Sequence, residues 1–93
     1  MEIAGLDVIE KFKKVQPASR SPLDDWIDKV TPVIWKTPHD VKKMFLSASF
    51  VKQYTIFNIG GNKYRLLTEI RYAAKRILML QVGTHEEYDR WKL

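Results

Sequence analysis

A predicted β-hairpin around Gly60-Gly61-Asn62 is the feature that most constrains how this chain can fold. The residues before it, Tyr54–Ile59, are rich in β-branched and aromatic side chains, which favour a strand. Glycine and asparagine tolerate the positive φ angles of a tight connection. After the turn, Lys63–Tyr72 alternates apolar and charged residues, which predicts a strand with one face on a core.

A third strand is predicted at Arg76–Val82, and its apolar character on both faces favours a central position. From residue 50 to residue 82 the chain has one acid, Glu69, and six cations. The cations are Lys52, Lys63, Arg65, Arg71, Lys75 and Arg76. This segregation favours a sheet face that binds a polyanion, although an acidic protein partner would use the same charges.

The first half of the chain predicts helices that cover this sheet. An amphipathic helix begins near Leu6 and ends before Pro17, a second follows Ser21-Pro22 to about Val30, and a short third begins at Thr37-Pro38. Glu2–Ala4 fits either a short strand or the approach to the first helix. The prediction is one α+β domain over residues 1–93, with two to three N-terminal helices on a small antiparallel sheet of about three or four strands and a helical C-terminal tail.

Composition excludes several classes of site. The chain has no cysteine, so it has no disulfide and no cysteine zinc site, and it lacks nucleotide-binding and hydrolase glycine motifs. The aspartates near Trp26 and the imidazole of His39 are interpreted as surface groups. No secretory signal or membrane-length apolar run is present, so we expect a cytoplasmic protein without a metal or cofactor.

Phosphodiester chemistry fits the remaining polar residues. Arg65 can hold a phosphate with two hydrogen bonds, and His85 can move a proton because imidazole ionises near neutral pH. Tyr88 or Trp91 could stack on a base, and Tyr88 could share in proton transfer. Glu69 fits a salt bridge with Arg71 better than a second base. The residues alone support an RNase and a non-catalytic nucleic-acid binder about equally.

Two motifs carry a resemblance to a known family. The first runs from Gly60 to Leu67 and the second from Gly83 to Asp89, and the segment from Trp35 to Phe50 agrees as well. Together they resemble the HigB toxins of the RelE/ParE-like superfamily over nearly the whole chain. The resemblance implies a RelE-like fold and the toxin of a type II toxin–antitoxin module.

The resemblance also implies a function. HigB toxins are mRNA interferases that cut messenger RNA on the ribosome without a metal, are neutralised by a helix-turn-helix HigA antitoxin, and meet DNA only through that complex. Its motifs assign the catalytic roles to Arg65, His85 and Tyr88. The residues expected to bind RNA are Lys63, Arg71, Arg76, Asn62 and Lys52. Phe57 and Asn58 stand where relatives carry lysines, so Lys63 is a candidate for part of the general-base role.

Two alternatives stay open. The ParE branch of the same fold binds gyrase without cutting RNA, but it lacks the combination that Arg65 and His85 form here. The other alternative is a chain that has lost catalysis and only binds its antitoxin and DNA. The residues do not exclude it, because catalysis depends on side chains placed within about half an ångström.

Overall fold

A computed structural model describes all residues from Met1 to Leu93. The elements in chain order are β1 (Glu2–Ala4), α1 (Leu6–Val15), a 3-10 turn (Pro17–Ser19), α2 (Arg20–Val30), α3 (Pro38–Met44), β2 (Ser49–Val51), β3 (Tyr54–Ile59), β4 (Tyr64–Arg71), β5 (Arg76–Thr84) and α4 (His85–Tyr88). The strands form one sheet in the order β1-β5-β4-β3-β2. β1 runs parallel to β5 and every other pair is antiparallel.

The α+β class is confirmed, but the sheet has five strands instead of three or four and is mixed instead of antiparallel. The two additional strands, β1 and β2, have three residues each, too few to show a period. β5 pairs with β4 along its length, whereas β1 covers its other edge only from Arg76 to Leu78.

The hairpin and two helix ends follow the local sequence signals. Gly60 and Gly61 both have positive φ in the turn between β3 and β4, as predicted. Thr37 and Asp40 form a capping box at the start of α3, and the N–H of Lys36 is the main cause of the lowered pKa of Asp40. α2 begins at Arg20, before the predicted Ser21-Pro22 start, because the 3-10 turn leads directly into it.

The core lies between the helices and one face of the sheet. Phe57 of β3 is fully buried at its centre, in aromatic contact with Trp26, Trp35 and Phe45, whose ring centroids lie 5.2, 6.0 and 5.2 Å away. The residues on one side of the β4 alternation, Tyr64, Leu66, Thr68 and Ile70, are buried, and so are Ile77 and Met79 of β5. The period-two assignment of β4 is therefore confirmed.

α1 is buried less than its apolar pattern predicts. Ile9 and Phe12 are in the core, but Leu6 is 47% exposed and Val15 is 73% exposed. The helix contacts the core through its middle, which leaves its first and last apolar residues outside. Lys13 is buried instead, where a hydrogen bond to Asp24 raises its pKa.

The face of the sheet opposite the helices also carries buried side chains. Ile56 and Leu67 lie opposite each other in the β3–β4 register and are 1% and 5% exposed, yet they are not part of the helix-side core. The segment after β5 contacts this face at Gly83 through Trp91, and the main chain of Leu93 contacts Lys52 in the β2–β3 turn. The C-terminal segment therefore crosses this face. None of the helices has the length and apolar character to span a membrane.

Candidate functional site

The candidate site lies at one end of the sheet face opposite the helices, which we call the second face. The alternation of β4 places Arg65, Leu67, Glu69 and Arg71 on it in that order. Arg65 has Asn58 of β3 and Gly83 of β5 as its cross-strand neighbours. The residues that end β3, begin β4 and end β5 therefore meet around this arginine, at what we call the site end.

The glycine turn holds the guanidinium of Arg65 in place. Its Nη1 donates to the backbone oxygens of Asn62 at 3.3 Å and Tyr64 at 3.1 Å, and its Nη2 donates to the side-chain oxygen of Asn62 at 3.0 Å. Arg65 is only 8% exposed. A side chain held by three hydrogen bonds and by packing has a fixed geometry, which a phosphate-binding group requires.

Arg65 nevertheless keeps donors for a ligand. A guanidinium has five N–H groups, and the three hydrogen bonds leave the Nε–H and one Nη2 hydrogen without a partner in the chain. Two adjacent N–H groups of this kind match the two oxygens of a phosphate. The three contacts that orient Arg65 therefore leave it two N–H groups for a further partner.

The end of β5 places His85 beside this turn. Thr84 and Glu87 form a capping box that begins α4, and the backbone N–H of His85 donates to the backbone oxygen of Lys63 at 3.0 Å. The exposed imidazole has its Nδ1 3.5 Å from a carboxylate oxygen of Asp89, one turn later. Because Asp89 lies on the Nδ1 side, Nε2 is the ring nitrogen left for a substrate.

Tyr88 completes the cluster from the last position of α4. Its ring centroid lies 5.6 Å from the Cζ atom of Arg65, a cation–π contact. The structure thus brings together Arg65, Tyr88 and the hydrogen-bonded backbones of Lys63 and His85. The exposed Lys63 adds a second cation at this end.

The remaining predicted RNA-binding residues lie elsewhere or have other contacts. Arg71 and Arg76 face each other at the opposite end of β4 and β5, about 20 Å from Arg65 for six residues of strand. Glu69 accepts from Arg71 at 2.9 Å, as the sequence favoured, and Glu2 accepts from Arg76 at 2.7 Å. We call this the far end. Lys52, in the β2–β3 turn, contacts the backbone oxygen of Leu93.

Two features of the site were missed at the sequence level. Thr84 and Glu87 have the spacing of a capping box, a signal that would have started α4 at His85. The contact of Gly83 with Trp91 has no local sequence signal, because a glycine at this position also fits an ordinary strand end. No group of three or more histidine, aspartate or glutamate side chains lies close enough together to hold a metal ion.

Comparison with known proteins identifies the family of the chain. Residues 19–91 match the family model described as "HigB_toxin, RelE-like toxic component of a toxin-antitoxin system". The chain belongs to the HigB toxin family. Its α+β architecture is accordingly the RelE-like one, and the family resemblance drawn from the sequence motifs is confirmed.

Curated HigB relatives align with most of the chain. It is 26% identical over 86 residues to the "mRNA interferase toxin HigB" of Escherichia coli strain K12, an alignment that covers 89% of this chain and 79% of that protein. The "mRNA interferase HigB" proteins of Escherichia coli O157:H7 and Shigella flexneri match with the same identity and coverage.

Proposed function

We propose that this HigB-family chain is an mRNA interferase, an endoribonuclease that cuts messenger RNA during translation on the ribosome and so arrests protein synthesis. The HigB relatives that align with 89% of the chain carry that activity in their names. The observation that carries the proposal is the Arg65 guanidinium, fixed by the glycine turn and by Tyr88 but left with two free N–H donors.

The reaction needs no metal because RNA contains its own nucleophile. The 2′-oxygen attacks the adjacent phosphorus, the bond from phosphorus to the 5′-oxygen breaks, the 2′-hydroxyl loses its proton and the departing 5′-oxygen gains one. The products are a 2′,3′-cyclic phosphate and a 5′-hydroxyl. In this scheme Arg65 binds the non-bridging oxygens and stabilises the charge that grows on them, an effect of about 3–4 kcal/mol per well-placed donor.

His85 is the group proposed to exchange protons with the reacting oxygens. Asp89 lies beside Nδ1, which leaves Nε2 for the substrate. A positioned proton donor or acceptor contributes about 10²–10⁴-fold to a rate. Tyr88 has its phenol at the same end of the face and is the third residue proposed to act on the reacting atoms, while its ring stacks on Arg65.

The RNA is proposed to enter over the site end. Lys63 is exposed there and its backbone oxygen is bonded to His85, so it contacts the phosphate next to the one that is cut. Asn62 acts in part through Arg65, because its side-chain oxygen accepts from that guanidinium. Arg71, Arg76 and Lys52 remain proposed as outer phosphate contacts, weakened because each already has a partner within the chain.

Membership of a toxin family implies an antitoxin partner. We infer that this partner is a HigA-type protein with a helix-turn-helix domain, that the pair meets operator DNA through that domain, and that the toxin acts in the cytoplasm, where translating ribosomes are. The antitoxin inference is tested separately. The purified toxin is mixed with its co-encoded antitoxin, and both mRNA cleavage and operator binding are measured.

The test of the proposed activity uses the wild-type chain in a reconstituted translation reaction. We expect cuts within the translated region of a reporter mRNA and none when the start codon is removed. An exposed cation of α1 supplies the matched control, since Lys14→Ala should cut like the wild type.

Two results would contradict the proposal. Intact mRNA together with inhibition of DNA supercoiling would identify a gyrase-binding toxin. Intact mRNA together with normal antitoxin binding would identify a chain that has lost catalysis.

A further inference from the structure

Gly83 opens a notch in the second face beside Arg65. It is buried in β5, directly opposite Arg65 in the β4–β5 register. A Cβ atom at this position would lie 2.9 Å from Cζ2 of Trp91 and 3.2 Å from Cβ of Glu87. The backbone of Gly83 is not in the left-handed region, so the glycine is required for space and not for its conformation.

The indole of Trp91 fills this notch and also contacts Tyr88. The two rings meet edge to face, with centroids 5.5 Å apart and planes at 84°. The backbone N–H of Trp91 donates to the oxygen of Tyr88 at 3.0 Å, which closes the chain between them into a turn. Trp91 is therefore attached to the strand on one side and to Tyr88 on the other.

Tyr88 needs such a support. α4 has only four residues, and a single helical turn is unstable without tertiary contacts because nucleation is costly. Its first turn is fixed by the capping box of Thr84 and Glu87. At its other end, Tyr88 makes an aromatic contact with Trp91 and a cation–π contact with Arg65.

We propose that Trp91 is a positioning residue, whose indole, seated against Gly83, holds Tyr88 over the guanidinium of Arg65. The contacts form one series from Gly83 through Trp91 and Tyr88 to Arg65, and they link the last strand to the phosphate-binding group. The catalytic role of the arrangement rests on the proposed RNase function, whereas the positioning itself does not.

The positioning is measured first, without any activity, by NMR of the Arg65 side chain. A guanidinium over an aromatic ring has its Nε–H resonance shifted by the ring current. We expect Trp91→Ala to remove that shift nearly as fully as Tyr88→Ala does, Trp91→Phe to keep most of it, and Lys92→Ala to leave it unchanged. An unchanged shift in Trp91→Ala overturns the proposal, whether or not the protein cuts RNA.

Kinetics of mRNA cleavage provide the second measurement. We expect Trp91→Ala to lower kcat about 10-fold with KM within about twofold, the pattern of an interaction made in the transition state. Gly83→Ala should behave in the same way and Trp91→Phe should restore most of kcat. Melting temperatures of all variants identify any that fail to fold. If Trp91→Ala fails to fold, the kinetics of Trp91→Phe are compared with those of the wild type instead.

A double-mutant cycle separates positioning from direct RNA contact. If Trp91 acts only through Tyr88, Trp91→Ala has no further effect on kcat in a Tyr88→Ala background, because residues in one contact series are not additive. Additive effects, or a raised KM with unchanged kcat, would show instead that Trp91 stacks on a base and would overturn the proposal.

Discussion

The site end and the far end of the second face carry similar cations but differ in what those cations contact. At the site end, Arg65 is held by neutral oxygens of the glycine turn and has no carboxylate partner. At the far end, Arg71 and Arg76 each face a carboxylate at less than 3 Å. Arg65 is therefore the arginine of the two strands without a carboxylate partner, although the sequence distributes cations along both of them.

The difference shows that backbone and amide oxygens can orient an arginine without cancelling its charge. A carboxylate partner fixes the side chain equally well but neutralises the field that a phosphate would meet. An arginine intended for an anion is better held by neutral acceptors. The hydrogen-bond partners, more than the number of cations, distinguish the two ends.

The largest effect is expected from Arg65. Arg65→Ala should lower the rate of mRNA cleavage about 10²–10³-fold, because it removes the donor that stabilises charge on the phosphorus oxygens. Arg65→Lys should restore little, since an ammonium group cannot keep three hydrogen bonds to the turn and still present two donors to phosphate. The measurement is single-turnover cleavage in a translation reaction. Cleavage within 10-fold of the wild type would remove Arg65 from the chemistry.

His85 comes second. His85→Ala should reduce cleavage by about 10²-fold through the loss of proton transfer. The other histidine of the chain provides the matched control, since His39 is exposed on α3 and His39→Ala should cut normally. The same single-turnover assay applies. Equal losses in both variants would point to a general effect of imidazole removal and not to a role for His85 at the site end.

Asn62 distinguishes orientation from RNA contact. Asn62→Ala removes one acceptor of the Arg65 guanidinium and should lower kcat by about 10-fold, the equivalent of one charged hydrogen bond. Asn62→Asp keeps that acceptor but places a carboxylate against the guanidinium, so it should keep Arg65 oriented and still lower kcat. A raised KM with unchanged kcat in Asn62→Ala would show instead that the side chain contacts RNA and that the hydrogen bond to Arg65 is secondary.

The Lys13–Asp24 ion pair, in which only the lysine is buried, tests whether exposure is what weakens the pairs of the far end. Asp24→Ala should cost about 1 kcal/mol of unfolding free energy, because Lys13 is largely buried and loses its main partner. Glu2→Ala at the exposed far end should cost less than about 0.5 kcal/mol. Denaturant unfolding at neutral pH measures both. Equal costs would mean that burial does not decide the strength of these pairs.

The same pair has a predictable dependence on pH. The folded-state pKa of Lys13 is raised by Asp24, so its contribution is complete below the ordinary lysine pKa and is lost as pH rises through the folded value. The difference in stability between the wild type and Asp24→Ala should therefore narrow in strongly alkaline buffer and stay constant from neutral pH to about pH 9. A difference that narrows already at neutral pH would assign the effect to another group.

The smallest effect is expected at the far end itself. Arg71→Ala and Arg76→Ala should each lower cleavage by less than about threefold at physiological salt, because exposed, paired cations contribute little at a distance beyond the Debye length. Removing the carboxylate instead, as in Glu69→Ala, frees Arg71 and should change cleavage in the opposite direction. A tenfold loss in Arg71→Ala would extend the RNA-binding surface along the whole face.

Local signals in the sequence accounted for the features that depend on neighbours in the chain. The glycine turn, β3 and the core alternation of β4 follow from backbone preferences and period. The start of α3 follows from its capping box, and the motifs around Arg65 and His85 were sufficient to indicate the family. These interactions act between residues close together in the chain, so they can be recognised from a single sequence.

Tertiary structure decided which of the cations remain available and what supports the site. Glu2 neutralises Arg76 across 74 residues of sequence, and it can do so only because β1 joins the sheet parallel to β5. Trp91 reaches Gly83 only because α4 turns the chain back over the second face. Such contacts depend on how strands and tail are placed in space, and they leave no period or motif in the sequence.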